Sequence, residues 1–136
     1  MTAKEYLSGA KRLDDIINCR LQELEYWRSL SRSVSGSNFE EHLNPNHLTE
    51  APFARCLDKI DEIERDINGK VDALVNLRTE INKAIDAVGN FEEQTVLRCR
   101  YLDNLTWEAI GGIIGVSVRT VHRIHGTALQ HFPIPE

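Results

Sequence analysis

Apolar residues recur every three or four positions through the first part of the chain. The positions of this stripe between residues 3 and 31 are Tyr6, Ala10, Leu13, Ile17, Leu24 and Trp27, widened by Ile16, Leu21 and Leu30. Residues three and four apart lie on one face of a helix, so the spacing predicts a long amphipathic helix. The residues that follow, about 32–51, are rich in Ser, Gly, Asn and Pro and are predicted to form a linker.

A second apolar stripe, with a period of seven residues, runs from about residue 52 to residue 88. One series at this spacing is apolar throughout and consists of Phe53, Ile60, Ile67, Leu74, Ile81 and Val88. The matching d positions are Leu57, Glu64, Val71, Arg78 and Ile85, with Ile63 and Leu77 next to the two charged ones. A sustained seven-residue period is typical of a left-handed coiled coil. The partner is either the first helix, folded back antiparallel, or the same helix of another chain.

The segment from Leu105 to Leu129 predicts two short helices joined by a tight turn. Thr106 is placed to cap the first of them, whose apolar face consists of Ile110, Ile113 and Ile114. Gly111 leaves room for the second helix to approach closely. Gly115 can adopt the left-handed conformation that ends a helix.

The second helix of this pair is predicted to have a buried apolar side and an exposed polar side. Ser117 caps it. The inward-facing residues are Val121, Ile124 and Ala128, and the outward-facing ones are Arg119, Thr120, His122 and Arg123. This arrangement is typical of a helix-turn-helix that places its second helix in a DNA major groove. A third helix, residues 91–102 capped by Asn90, is predicted to support the pair.

These elements predict an all-α fold. Residues 1–89 form a long antiparallel helical hairpin, or coiled coil, with helices at about 3–31 and 52–88. Residues 90–136 form a three-helix, helix-turn-helix DNA-binding domain.

The charge distribution favours nucleic-acid binding more than the net charge of −5 does. No Asp or Glu occurs from Ala109 to Pro135, a stretch that contains two arginines and three histidines. Because the stretch has only two arginines and no lysine, any DNA affinity of a single copy is expected to be weak and sensitive to salt. No apolar run is long enough to span a membrane and the first residues lack a signal-peptide core, so a cytoplasmic protein with no membrane partner is expected.

No catalytic or cofactor site is expected from the sequence. Cys19, Cys56 and Cys99 are isolated from one another, which indicates reduced thiols rather than a disulfide framework or a zinc site. His122 and His125 have a spacing that a metal pair or a pH switch could use, but a structural or phosphate-contacting role is favoured. The Gly-Gly-Ile-Ile-Gly run has no preceding strand and is not a nucleotide-binding loop. We therefore expect no enzyme activity, no metal and no cofactor.

The C-terminal block resembles region 4 of bacterial sigma factors. The motifs that carry the resemblance are E-E-x-x-V-L-x-x-R-Y-L, L-T-x-x-x-I, G-V-S-x-x-T-V and the closing A-L at Ala128–Leu129. The whole chain also resembles a family of small phage and prophage proteins of Gram-positive bacteria, which join a helical N-terminal half to such a block. This second resemblance implies a phage transcriptional regulator.

The resemblance to sigma region 4 also implies which residues face the groove. They are Val118, Arg119, Thr120, His122 and Arg123, and with the capping Ser117 they make up the predicted DNA-contacting set. Val118 and His122 stand where sigma factors commonly carry basic residues.

The predicted function is a phage-type transcriptional regulator that binds double-stranded DNA through residues 117–129. The heptad-bearing helices would form a homodimer or contact RNA polymerase. A small terminase-like subunit that recognises DNA for packaging is one alternative. A protein-only adaptor of RNA polymerase is another.

Overall fold

The computed structural model describes residues 1–40 and 50–135, and for residues 35–40 and 50 it describes the backbone alone. The described chain is helical, without strands. Its helices are α1 (Ala3–Glu40), α2 (Glu50–Asp86), α3 (Phe91–Leu97, continued by a π-helical turn Arg98–Leu102), α4 (Trp107–Ile114) and α5 (Val118–His131). This confirms the all-α prediction of a long helical hairpin followed by a helix-turn-helix. Every helix in the described ranges is too short or too polar to cross a bilayer.

The chain divides into two compact units. Unit 1 contains residues 1–14 and 73–136, and unit 2 contains residues 15–72. The boundary expected between residues 89 and 90 falls inside unit 1. It does so because the first turns of α1 and the end of α2 share a hydrophobic core with α3 and α5.

In unit 2, α1 and α2 run antiparallel. Arg20 Nε lies 2.8 Å from Asp66 Oδ2, and Arg28 Nη2 lies 2.8 Å from Glu64 Oε1, so positions on α2 descend as positions on α1 rise. These pairs are at least partly exposed, and exposed ion pairs contribute little to stability. The apolar stripe between the helices is the larger stabilising contribution.

The predicted end of the first helix, at about residue 31, is wrong. α1 continues to Glu40, and α2 begins at Glu50. The apolar stripe explains the longer helix, because Val34 follows Trp27 and Leu30 at helical spacing. The three side chains line one groove together with residues of α2. The rest of the predicted linker, residues 41–49, lies outside the described residues.

The first heptad series of α2 faces inward as predicted, but the second does not. Ile67, Ile81 and Val88 of the first series are buried, whereas Leu57 and Val71 of the predicted d positions are 47% and 39% exposed. The buried or half-buried apolar residues three positions after members of the first series are Cys56, Ile63, Leu77 and Ala84. A spacing of three, then four, is the one that a heptad seam requires. Close to the helix end Ile85 is also buried, because unit 1 surrounds α2 more completely there.

Two hydrophobic clusters form the core of unit 1. The first joins both hairpin helices to α3 and α5 and consists of Ala3, Leu7, Ala10, Ile81, Ala84, Ile85, Val88, Leu97, Tyr101, Leu102, Ala128 and Phe132. The second lies within the helix-turn-helix and consists of Val96, Cys99, Ile110, Val121 and Ile124. α5 contributes to both clusters, so its orientation is fixed from two sides.

Candidate nucleic-acid interface

The sequence signals that begin α4 and α5 act as predicted. Thr106 Oγ1 accepts a hydrogen bond from the Ala109 amide at 3.2 Å, and Ser117 Oγ accepts one from the Thr120 amide at 3.3 Å. Both caps have extended backbone angles, which is the usual N-cap conformation. Asn90 Oδ1 caps α3 in the same way, 3.1 Å from the Glu93 amide. Each cap satisfies a backbone donor that the helix itself leaves free.

The turn between α4 and α5 depends on two glycines. Gly115 has φ 81°, a left-handed conformation in which a side chain is strained. A Cβ built on Gly111 would lie 2.8 Å from the Val116 carbonyl oxygen and 3.6 Å from Val121 Cγ2. The Gly111 carbonyl oxygen in turn accepts hydrogen bonds from the amides of Gly115, at 2.8 Å, and Val116, at 3.0 Å. The absence of a side chain at residue 111 therefore permits the tight turn that aims α5 outward.

One side of α5 is packed and the other is open to solvent. The packed side consists of Val121, Ile124, His125 and Ala128. Arg119, His122 and Arg123 are exposed, and Gly126 and Gln130 continue the same exposed side. Neither Arg119 nor Arg123 forms an ion pair or hydrogen bond with another side chain of the described residues. Both guanidinium groups are available to a ligand.

The predicted DNA-contacting residues thus fall into two groups. Ser117, Arg119, His122 and Arg123 are exposed, whereas Val118 and Thr120 are half-buried. The Ser117 and Thr120 hydroxyl oxygens lie 3.1 Å apart, so these two side chains are engaged with each other as well as with the cap. All six lie in the cap and first two turns of α5.

His122 is held by an aromatic and cationic cluster at the start of α4. Its ring centroid lies 4.5 Å from that of Trp107, and Trp107 packs against the second core cluster. Arg100 Cζ lies 4.1 Å from the Trp107 ring centroid, and Arg100 Nη1 donates to the Leu105 carbonyl oxygen at 3.0 Å. These contacts hold Arg100 of the π-helical turn and His122 of α5 on one surface. Arg100 is a residue that the sequence reasoning missed, and it lies in the π-helical turn.

His125 has a structural environment. It is 8% exposed, and its Nε2 lies 2.6 Å from the Tyr101 hydroxyl. Burial and, to a smaller extent, the positive charges of Lys4, Arg100 and His122 together lower the pKa of His125 to about 4. Burial also raises the pKa of Tyr101. Both groups are therefore neutral at pH 7 and share one hydrogen bond.

The far end of α5 is anchored to α3. His131 Nδ1 lies 2.9 Å from Glu93 Oε2, and the Glu93 carboxylate is buried. The described residues contain no group of three or more side chains placed to hold a metal ion.

Comparison with known proteins gives a family match for this part of the chain. Residues 90–131 match the family model for Sigma-70, region 4. Searches of curated proteins and of solved structures give no match for the chain. The matched segment begins at the cap of α3 and ends at the last residue of α5, so it coincides with the helix-turn-helix and its supporting helix. Residues 90–131 are thus similar to region 4 of sigma-70, which is a DNA-binding helix-turn-helix domain.

Proposed function

We propose that the chain is a phage-type transcriptional regulator that binds duplex DNA by inserting α5 into the major groove. The observation that carries the proposal is the exposed side of α5. It presents Arg119 and Arg123, which have no side-chain partner among the described residues, on a helix whose opposite side is fixed in the core. No carboxylate occurs between residues 109 and 135 to repel phosphate.

Each residue of the predicted set can make a contact with DNA that suits its chemistry. Arg119 and Arg123 are four residues apart and can donate to guanine edges or to phosphates. Ser117 and Thr120 lie at the N-terminus of α5, where backbone amides and the helix dipole favour a phosphate. Val118 can make apolar contact with a thymine methyl group. His122, held against Trp107, can donate to a phosphate at the rim of the groove.

Homodimerisation is part of the proposal. The two arginines give a single copy few phosphate contacts, and a linked second copy would bind at a raised effective concentration. Leu21, Leu57 and Val71 of unit 2 are 45%, 47% and 39% exposed, which supports an apolar contact between hairpins. A dimer would favour two half-sites about one helical turn, or a multiple of it, apart. The alternative role of the same hairpin is a contact with RNA polymerase.

The test begins with selection of bound sequences from random duplex DNA at low salt, with light scattering on the same sample. Fluorescence anisotropy then measures the affinity of Arg119→Ala and Arg123→Ala for the selected duplex. Replacing an arginine that reads a base should cost about 1–3 kcal/mol of binding free energy and relax the sequence selectivity at the base pair that it contacts. Arg65→Ala is the matched control, because Arg65 is an exposed arginine of unit 2 that pairs with Asp61.

The outcomes separate the proposal from its alternatives. Unchanged binding by both α5 variants would remove the recognition-helix assignment. No retention of the unmodified protein on any duplex at low salt would instead favour the polymerase adaptor. A ring of eight or more copies would favour a DNA-packaging subunit.

A further inference from the structure

A cationic pocket lies in unit 1 beside the exposed side of α5. It has a volume of about 420 Å³, and α1, the π-helical turn, α4 and α5 all contribute to its wall. The residues that matter for its chemistry are Lys4, Ser8 and Lys11 of α1, Arg100 of the π-helical turn, Trp107 of α4 and His122 of α5. α1 thus brings two lysines to the rim of a surface that the helix-turn-helix alone does not complete.

The pocket lining carries charge of one sign. Lys4, Lys11 and Arg100 are its permanently charged residues, and none of its lining residues is an Asp or Glu. A concave surface lined by one sign of charge concentrates the field and attracts counterions. At the inner wall, burial lowers the pKa of His125, and the positive charges of Lys4, Arg100 and His122 act in the same direction.

Among the described residues, the two lysines also lack an ion-pair partner. Lys59 and Lys70 of unit 2 pair with Glu62 and Asp66. Neither Lys4 nor Lys11 is within ion-pair distance of a carboxylate among the described residues, although both are exposed. Two ammonium groups, a guanidinium and the Ser8 hydroxyl therefore belong to one pocket whose lining residues include no carboxylate. A phosphate supplies the matching charge and several acceptor oxygens.

The position of the pocket indicates which phosphate it would hold. His122 is shared between the pocket and α5, and it lies three positions from Arg119 on the same helix. When a recognition helix lies in the major groove, the flanking strand passes beside that helix and places its phosphates at the rim. We propose that this pocket receives a backbone phosphate of the bound duplex, with Lys4 and Lys11 of α1 as its ligands.

This inference rests on the proposed function, and it adds α1 to the DNA-binding surface. The test measures affinity against salt concentration for the full chain and for Lys4→Ala and Lys11→Ala, with Lys59→Ala as the control in unit 2. Each pocket variant should lose affinity by the same factor on the selected duplex and on an unrelated one. The ratio of the unmodified protein's affinity to the variant's affinity should fall by about 3.5-fold between about 50 and about 200 mM salt, because the variant releases one fewer counterion on binding. Lys4→Arg keeps the charge and should restore the slope.

A second measurement pairs the lysines with a particular phosphate. Single phosphates of the selected duplex are replaced by neutral methylphosphonates, one at a time. At one position the substitution should weaken binding by the unmodified protein, weaken binding by Lys4→Ala or Lys11→Ala less, and affect the Lys4→Ala/Lys11→Ala double variant least.

Unaltered salt slopes in both lysine variants, with DNA binding by the unmodified protein intact, would overturn the pocket assignment and leave the role of α5 standing. Failure of the unmodified protein to bind any duplex would overturn both. Loss of binding on the selected duplex alone would make the lysines sequence readers, against the phosphate assignment.

Discussion

Gly111 and Gly112 are neighbours in α4, and replacing each with alanine should change stability in opposite directions. A Cβ at Gly111 would meet the Val116 carbonyl oxygen at 2.8 Å, whereas a Cβ at Gly112 would meet nothing within 4 Å. Both positions have ordinary helical angles, so the backbone preference for alanine is the same in the two variants. The pair therefore isolates the cost of the close approach that shapes the turn.

The magnitudes follow from two opposing contributions. An alanine in place of glycine stabilises a helix interior by roughly 0.5–1 kcal/mol, and Gly112→Ala should show this gain. Overpacking a tight contact costs about 1–3 kcal/mol. At Gly111 that cost falls on a backbone oxygen, which cannot rotate away as a side chain could. Gly111→Ala should therefore be less stable than the parent by about 1 kcal/mol, and the two variants should differ by about 2 kcal/mol.

Urea unfolding followed by tryptophan fluorescence measures this difference. The chain has two tryptophans, so both variants are made in a Trp27→Phe background in which Trp107 alone reports. Trp107 packs against the core of the helix-turn-helix, so its signal follows the unit that contains both glycines. If Gly111→Ala proves as stable as Gly112→Ala, the turn does not depend on the missing side chain and the reasoning is refuted.

The same assay checks three further predictions. Because the pKa of His125 is about 4 in the fold and about 6.5 when unfolded, stability should be full above pH 6.5 and fall as the pH drops toward 4. The loss attributable to this residue by pH 4.5 is about 2–3 kcal/mol, and His125→Gln should flatten the profile. Leu7→Ala should cost about 2–5 kcal/mol because Leu7 is fully buried, against about 0.5 kcal/mol for the exposed Val75→Ala. Thr106→Ala should cost about 1 kcal/mol through loss of its cap, and an unchanged midpoint would contradict that role.

The features that the sequence predicts best are those determined within a few residues. The caps at Asn90, Thr106 and Ser117 each join a side chain to an amide three positions later. Gly115 ends α4 because its own backbone angle allows it. Such signals need no knowledge of the partner surface, and they fix where α5 begins and which of its sides is exposed.

The register of the hairpin cannot be predicted from the local sequence pattern. Leu57 and Cys56 are adjacent and both apolar, yet Cys56 is buried and Leu57 is not. A single helix offers several apolar series at a period of seven, and only the position of the partner helix selects one. The end of α1 raises the same difficulty, because Ser and Gly lower helix propensity without preventing a helix that packing stabilises.

The contribution of α1 to unit 1 is the feature that no local pattern announces. Leu7 lies more than 80 residues from Leu97 in the sequence and shares a core with it, and this packing is what carries Lys4 and Lys11 to the edge of α5. The C-terminal block by itself has few basic residues, so a dimer would be needed to add phosphate contacts. In the fold, a single copy also presents Lys4, Lys11 and Arg100 next to the arginines of α5. The salt dependence of DNA binding per copy distinguishes these two sources of phosphate contacts. Lysines of α1 would steepen the slope for each copy, whereas dimerisation would multiply an unchanged slope by the number of copies bound.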